Sequence, residues 1–221
     1  MTNEKATKPK RPVHHRTAIG QEQRVKTRAW IIKCAIPVFA EHGPDIPVID
    51  DFAKAAGISR GSFYNYFQTT RELLDATMET LSDEVIATIV PAVAGMTDPV
   101  ARLATAARMY YRKATMDPLF GAFLESVSGV GTLALERARG DLQEAIRSGA
   151  TRVQDIELAQ AIAVGVMVFA LKTPAARTGG DARGIEVVRA ILSGLGVSQA
   201  RIDEALRAPL PDLLPDSPSI G

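Results

Sequence analysis

Residues 53–67 read AKAAGISRGSFYNYF: the apolar end of one helix, a glycine turn and the start of a second, aromatic-rich helix. Gly57 tolerates a left-handed backbone, Ile58 fills the gap between two helices, and Ser59 is a residue type that caps a helix start. Two short helices joined by a three- or four-residue turn containing glycine form a helix-turn-helix, whose second helix can enter the DNA major groove, although many small helical bundles also contain a glycine turn and a capped helix. The second helix exposes Arg60, Ser62, Asn65 and Tyr66, all hydrogen-bonding types, while Phe63 and Phe67 fasten it to its neighbours. Arginine pairs with guanine, asparagine with adenine, and serine or tyrosine with bases or phosphates. Gly61 permits close approach of the backbone.

Upstream, Trp30, Ile31, Cys34, Ala35, Val38 and Phe39 recur at helical spacing, which predicts a first helix from about Gln21 to Gly43, kinked at Pro37, with Trp30 as a core anchor. After the turn GPDIP, VIDDFAKAA makes the second helix, with Ile49, Phe52, Ala53 and Ala56 inward and Asp50 and Asp51 near its positive start. Downstream of the third helix, Thr70 is placed to cap a fourth running to about Val90. Further starts follow at Asp98-Pro99 and Asp117-Pro118, each a capping residue before a first-turn proline. TLALERARGDLQEAIRSG is amphipathic, DIELAQAIAVGVMVFALK is apolar nearly all round and must be covered, and Ile185, Val188, Ile191, Leu192 and Leu195 stripe another helix before a short last one at Ser198. No strand-like alternation of useful length occurs.

The expected fold is therefore all-α, with about nine or ten helices. The domains expected are a disordered basic arm over 1–20, a helix-turn-helix domain over 21–69, a larger helical domain over 70–207 that begins with a connecting helix to about 90, and a loose tail over 208–221.

The formal net charge is only +1, yet residues 1–72 carry twelve Lys or Arg against seven Asp or Glu, leaving fourteen against eighteen behind them. A polyanion is thus met by the front of the chain. Cys34 is the single cysteine, so no internal disulfide forms; its expected role is packing, and a reducing cytoplasm fits best. No export signal is visible, and the longest apolar run, 161–171, is well short of a membrane span, so no membrane partner is expected. His14 and His15 have no partner at metal spacing, His42 suits a helix C-terminus, and Asp50 and Asp51 stabilise a helix start rather than form a catalytic pair. No nucleophile elbow, phosphate-cradling glycine loop or HExxH is present. No enzyme activity, metal or cofactor is expected.

From Thr27 to Leu74, TRAWIIKCAIPVFAEHG followed by DDFAKAAGISRGSFYNYFQTTRELL resembles the N-terminal DNA-binding domain of the TetR family of one-component regulators. The residues that carry the likeness are Arg28, 39–43, Phe52-Ala53, Ala56-Gly57, Gly61, Tyr64, Phe67 and Leu73. The resemblance implies a ligand-responsive regulator, most simply a repressor, that binds a near-palindromic double-stranded operator as a homodimer. In that family Arg60, Gly61, Ser62 and Asn65 fall where bases are met; Tyr64 and Tyr66 fall where phosphates are met, and Thr27 and Arg28 near them. With the cap Ser59 and the fourth-helix start Thr70, these form the expected DNA-binding set. Three departures weaken backbone affinity: Pro47-Val48 replaces the usual Thr-Ser cap, Asp50 stands where a basic residue is common, and Thr70 stands where a lysine is usual. The arm residues Lys5, Lys8, Lys10, Arg11 and Arg16 offer compensation along the phosphates or in a minor groove.

For the C-terminal part, Tyr110, Tyr111, Phe120, Phe123 and Met167 are the candidate pocket residues, joined on the rim by Met116 and Phe169; at helical spacing the same residues also read as plain core. Arg108 or Arg112 nearby suits a small, largely apolar ligand with one polar or acidic end. The helices at about 155–172 and 181–195 suit either a four-helix dimer interface or the centre of a single domain, and the resemblance favours the dimer. The rival functions are a ligand-independent or activating DNA-binding protein, and a helical ligand-binding protein or enzyme whose helix-turn-helix is only structural.

Overall fold

The computed structural model describes residues 13–126 and 131–211. Among them are eleven helices and no strand: α1 (Val13–His42), α2 (Ile49–Ala56), α3 (Arg60–Phe63), α4 (Thr70–Val93), α5 (Pro99–Met116), α6 (Pro118–Ser126), α7 (Thr132–Arg147), α8 (Ile156–Leu171), α9 (Pro174–Thr178), α10 (Gly180–Gly194) and α11 (Gln199–Arg207). One more helix is present than the upper expectation. It is α9, a single turn begun by Pro174 after Thr173, too short to show a period.

Two apolar cores divide the molecule. The smaller joins α1 to α4 around Ile31, Ala35, Phe39, Phe52, Phe63, Phe67 and Leu73. Its rings pack in pairs, Phe39 on Phe52 at 4.7 Å between centroids and Phe63 on Phe67 at 5.9 Å. The larger is built on α5, which packs against α4, α6, α7, α8, α10 and α11. Arg108 of α5 is buried there and donates to the carbonyl of Ala208 at 2.8 Å, tying down the end of α11. The α6 helix bridges the cores, since it packs on α1 and on α5. Its Phe120 lies edge-on to Tyr110 at 6.0 Å, and its Phe123, one turn on, lies edge-on to Phe39 at 6.2 Å.

Several local expectations are corrected. The first helix begins at Val13, not Gln21, and runs through Gly20, which weakens a helix without ending it. Residues 1–12 of the expected arm, with Lys5, Lys8, Lys10 and Arg11, lie outside the described residues, as do 212–221 of the expected tail. The α1 helix runs through Pro37, which sits on its exposed side. Trp30 is not a core anchor: it is 51% exposed, and its indole Nε1 donates to the Ala56 carbonyl at 3.0 Å. Thr69, not Thr70, caps α4; its hydroxyl accepts from the Glu72 N–H while the Glu72 carboxylate accepts from the Gln68 N–H. In this single chain α8 buries Ala159, Ala163, Met167 and Leu171 but leaves Leu158 and Phe169 exposed, so it is only half covered.

Candidate nucleic-acid interface and interior cavity

The turn between α2 and α3 follows from its residues. Gly57 has φ of 67°, in the left-handed region, and Ile58 N–H bonds back to the Ala53 carbonyl at 2.9 Å. Ser59 Oγ accepts from the Ser62 N–H at 3.1 Å and lies 2.9 Å from the Ser62 hydroxyl. Val48 offers no capping oxygen at the start of α2; Asp51 instead accepts from the Val48 N–H at 2.8 Å.

On the outer face, Arg60 opens α3. Its Nη1 donates to Asp50 Oδ2 at 2.8 Å, its Nη2 to the Tyr64 hydroxyl at 3.3 Å, and its guanidinium carbon stands 5.7 Å from the centre of the Tyr64 ring. The Tyr64 hydrogen bond, then the Asp50 carboxylate, raise the guanidinium's pKa above its ordinary value. Gly61, Tyr64 and Asn65 are exposed beside it and Ser62 is half-buried. Tyr66 is half-buried, with the Arg24 guanidinium 6.0 Å from its ring, and Arg24 Nη2 donates to the Asn65 carbonyl at 3.0 Å. Arg28 lies 4.9 Å from the Phe67 ring, and the Thr27 hydroxyl donates to the Gln23 carbonyl of its own helix. Ser59 to Asn65 thus form one surface, to which α1 is strapped by cations over aromatic rings. Thr70 is the first residue of α4, half-buried. The role of Arg24 was missed, and so was the Asp50–Arg60 contact. Both join residues far apart in sequence, and only the misplaced charge of Asp50 hinted at the second.

In the larger domain a cavity of about 360 Å³ opens between α4, α5, α7 and α8, with Ile191 of α10 at its wall. Ile86, Ile89, Val93, Leu103, Ala134, Ala163 and Met167 make it apolar; Tyr110, Arg102, Arg137 and Asp141 are its polar groups. Arg102 is already paired: its Nε donates to Asp141 Oδ1 at 2.6 Å, another nitrogen to Glu144, and Nη1 to the Met96 carbonyl at 2.9 Å. Burial raises the Asp141 carboxyl and outweighs the opposing pull of Arg102. Tyr110 is 6% exposed, its hydroxyl has no hydrogen-bond partner, and burial pushes the phenol well above its ordinary pKa. Of the five candidate pocket residues, Tyr110 and Met167 line this cavity. The other three stand elsewhere: Tyr111 is buried against Gly184, its ring 3.0 Å from where a Cβ would stand, Phe120 backs the Tyr110 ring, and Phe123 belongs to the smaller core. Among the described residues no group of three His, Cys, Asp or Glu is placed to hold a metal, and no helix is long and apolar enough to cross a membrane.

The glycine-turned pair of helices with an exposed polar second helix is a helix-turn-helix, carried here on a larger helical domain with an apolar cavity of the kind that takes small molecules. Residues 31–77 match the sequence profile of bacterial regulatory proteins, tetR family, and the helix-turn-helix domain of this chain is of that family. The chain is 33% identical over 66 residues to the uncharacterized HTH-type transcriptional regulator YfiR of Bacillus subtilis (strain 168), covering 30% of this chain and 32% of that protein. It is 36% identical over 53 residues to the "probable acrEF/envCD operon repressor" of Escherichia coli (strain K12), covering 24% of each. These matches span a third or less of the relatives' own length. Over the whole molecule, the crystal structure of RolR in complex with resorcinol is similar, with a TM-score of 0.70 and 27% identity over 88% of this chain and 100% of that one.

Proposed function

We propose that this protein is a ligand-responsive transcriptional repressor that binds a near-palindromic operator as a homodimer. The observation that carries the reading is the surface from Ser59 to Asn65, with its arginine and asparagine at the outer edge of a short helix mounted on a fixed turn. The tetR-family match and the described E. coli repressor support it. Two such helices, one per protomer, enter successive major grooves about one helical turn (roughly 34 Å) or a little more apart. Dimerisation is supported by the uncovered side of α8, where Phe169 is 73% and Leu158 52% exposed. Apolar residues exposed on one helix face call for a partner surface, and pairing of α8 and α10 with their copies supplies one.

The cavity supports a small, largely apolar ligand. Its arginine at 102 is satisfied by two carboxylates, which favours an uncharged ligand over an acid, and the unpartnered Tyr110 hydroxyl favours one with a hydroxyl or carbonyl oxygen. Resorcinol, the ligand of the similar RolR structure, is a small neutral phenol of this class. Ligand shifts the population away from the DNA-binding conformation by no more than its differential affinity for the two states. The link between sites runs along α4 and through the Tyr110–Phe120 and Phe123–Phe39 contacts of α6.

Selection from random duplex DNA with the purified protein, then titration of the winning site against salt and against neutral phenols, tests the reading. A palindrome, bound with log affinity falling steeply against log salt and released by a phenol, is the expected result. No enriched sequence would overturn it.

A further inference from the structure

We propose that Asp50 is a positioning residue for base reading, its carboxylate clamping the Arg60 guanidinium in one orientation so that Arg60 discriminates its base pair only while Asp50 is present and charged. The inference rests on the proposed DNA-binding reading and deepens it.

A carboxylate is out of place on a surface that must approach a polyanion; Asp50 stands in the first turn of α2, where its charge suits the helix start, but that does not account for the direction its side chain takes. Asp51, its neighbour, serves the start of α2 by accepting from the Val48 N–H. The carboxylate of Asp50 instead leaves its helix and reaches Arg60 on α3, at 2.8 Å. Both side chains are more than half exposed, and an exposed pair of this kind adds little to stability. What it does add is direction. A free arginine on the first turn of a helix samples many rotamers; this guanidinium is held at Nη1 by Asp50, at Nη2 by the Tyr64 hydroxyl, and over the Tyr64 ring. Three of its five N–H donors remain for the O6 and N7 edge of a guanine, in an orientation fixed before DNA arrives.

The charge works in the same sense. A negative group on the reading face repels phosphates of every sequence, so it lowers the sequence-independent part of binding, while the clamp preserves the sequence-dependent part. Asp50 therefore trades general affinity for discrimination.

The test uses full-length wild type, Asp50→Asn, Arg60→Ala and the double variant. Selection from random duplexes with wild type and Arg60→Ala identifies the base pair whose preference disappears with Arg60. Affinities for duplexes matched and mismatched at that base pair are then measured for all four proteins across a salt series. Asp50→Asn is expected to bind random duplex more tightly, with the salt slope steeper by about one per protomer, and to lose about 5-fold or more of the discrimination at that base pair. The double variant is expected to discriminate no worse than Arg60→Ala alone. A steeper slope with discrimination intact would overturn the clamp and leave Asp50 as a repelling charge only. A base preference unchanged in Arg60→Ala would also overturn it. Failure of wild type to select any sequence is a different outcome, and sinks the DNA-reading proposal itself. Thermal melting of each variant reports folding, and Asp50→Ala replaces Asp50→Asn if the amide variant fails to fold.

Discussion

The indole of Trp30 gives its single donor to the carbonyl of Ala56, one of the acceptors that a helix leaves unsatisfied at its C-terminus. Trp30→Phe keeps an apolar ring on α1 and removes that bond, so urea unfolding should show a loss of about 1 kcal/mol. An aromatic at helical spacing reads as core, and nothing in the chain's pattern told that this ring would lie across α2 rather than beneath it. The same limit acts at Tyr110 and Tyr111. Both were expected at the pocket, yet adjacent residues on a helix point about 100° apart and do not readily face one cavity wall together. Packing decided it, with Tyr110 at the cavity and Tyr111 against Gly184. Because the Tyr110 hydroxyl is buried without a partner, Tyr110→Phe should leave the empty protein as stable as wild type or more stable by up to about 1 kcal/mol, while weakening a phenolic ligand by about 10-fold in calorimetry.

Helix ends were the most legible elements, because the chemistry that stops or starts a helix sits in one or two residues. Asp98, Asp117 and Asp155 each accept from N–H groups of the helix they precede, as their positions before α5, α6 and α8 imply. The turn at Gly57 and Ser59 is of the same kind. Gly57→Ala forces a side chain into φ of 67° and Ser59→Ala removes the cap of α3; each should cost about 1 kcal/mol and lower Tm by about 2–4 °C. The start of α4 was misplaced by one residue although its signal was present, since Thr69 stands three before Glu72 in the capping-box spacing and Thr70 does not. Contacts between distant elements left no such trace. Arg112 of α5 bonds Asp181 of α10, with Nε to Oδ1 at 2.8 Å, and holds that carboxyl below its ordinary pKa. A depressed carboxylate contributes stability above its unfolded pKa, near 3.9, which is lost as pH falls through the lower folded value. Acid unfolding of Arg112→Gln should therefore lack the part of this dependence that Asp181 supplies in wild type, measured as a shallower loss of stability below about pH 4.

For the molecule as a whole, the all-helical class and the division into a small head and a larger body were readable from period and composition, since amphipathic stripes must be buried against something. What covers α8 was not. Its sequence is apolar nearly all round, which fits a central helix or a dimer seam, and the exposure of Leu158 and Phe169 in the folded chain supports the proposed seam. Phe169→Asp places a charge in the proposed seam; sedimentation should show monomers, with a folded helical spectrum and operator affinity reduced at least about 100-fold through loss of the second reading helix. Pairing through the proposed seam would carry a consequence for gene dosage. When protomers are mostly apart, mass action makes the paired species grow with the square of chain concentration. Halving synthesis of the chain would then remove about three quarters of the DNA-competent form, so a promoter under its control would respond more sharply to supply than any single-chain repressor of equal affinity could make it.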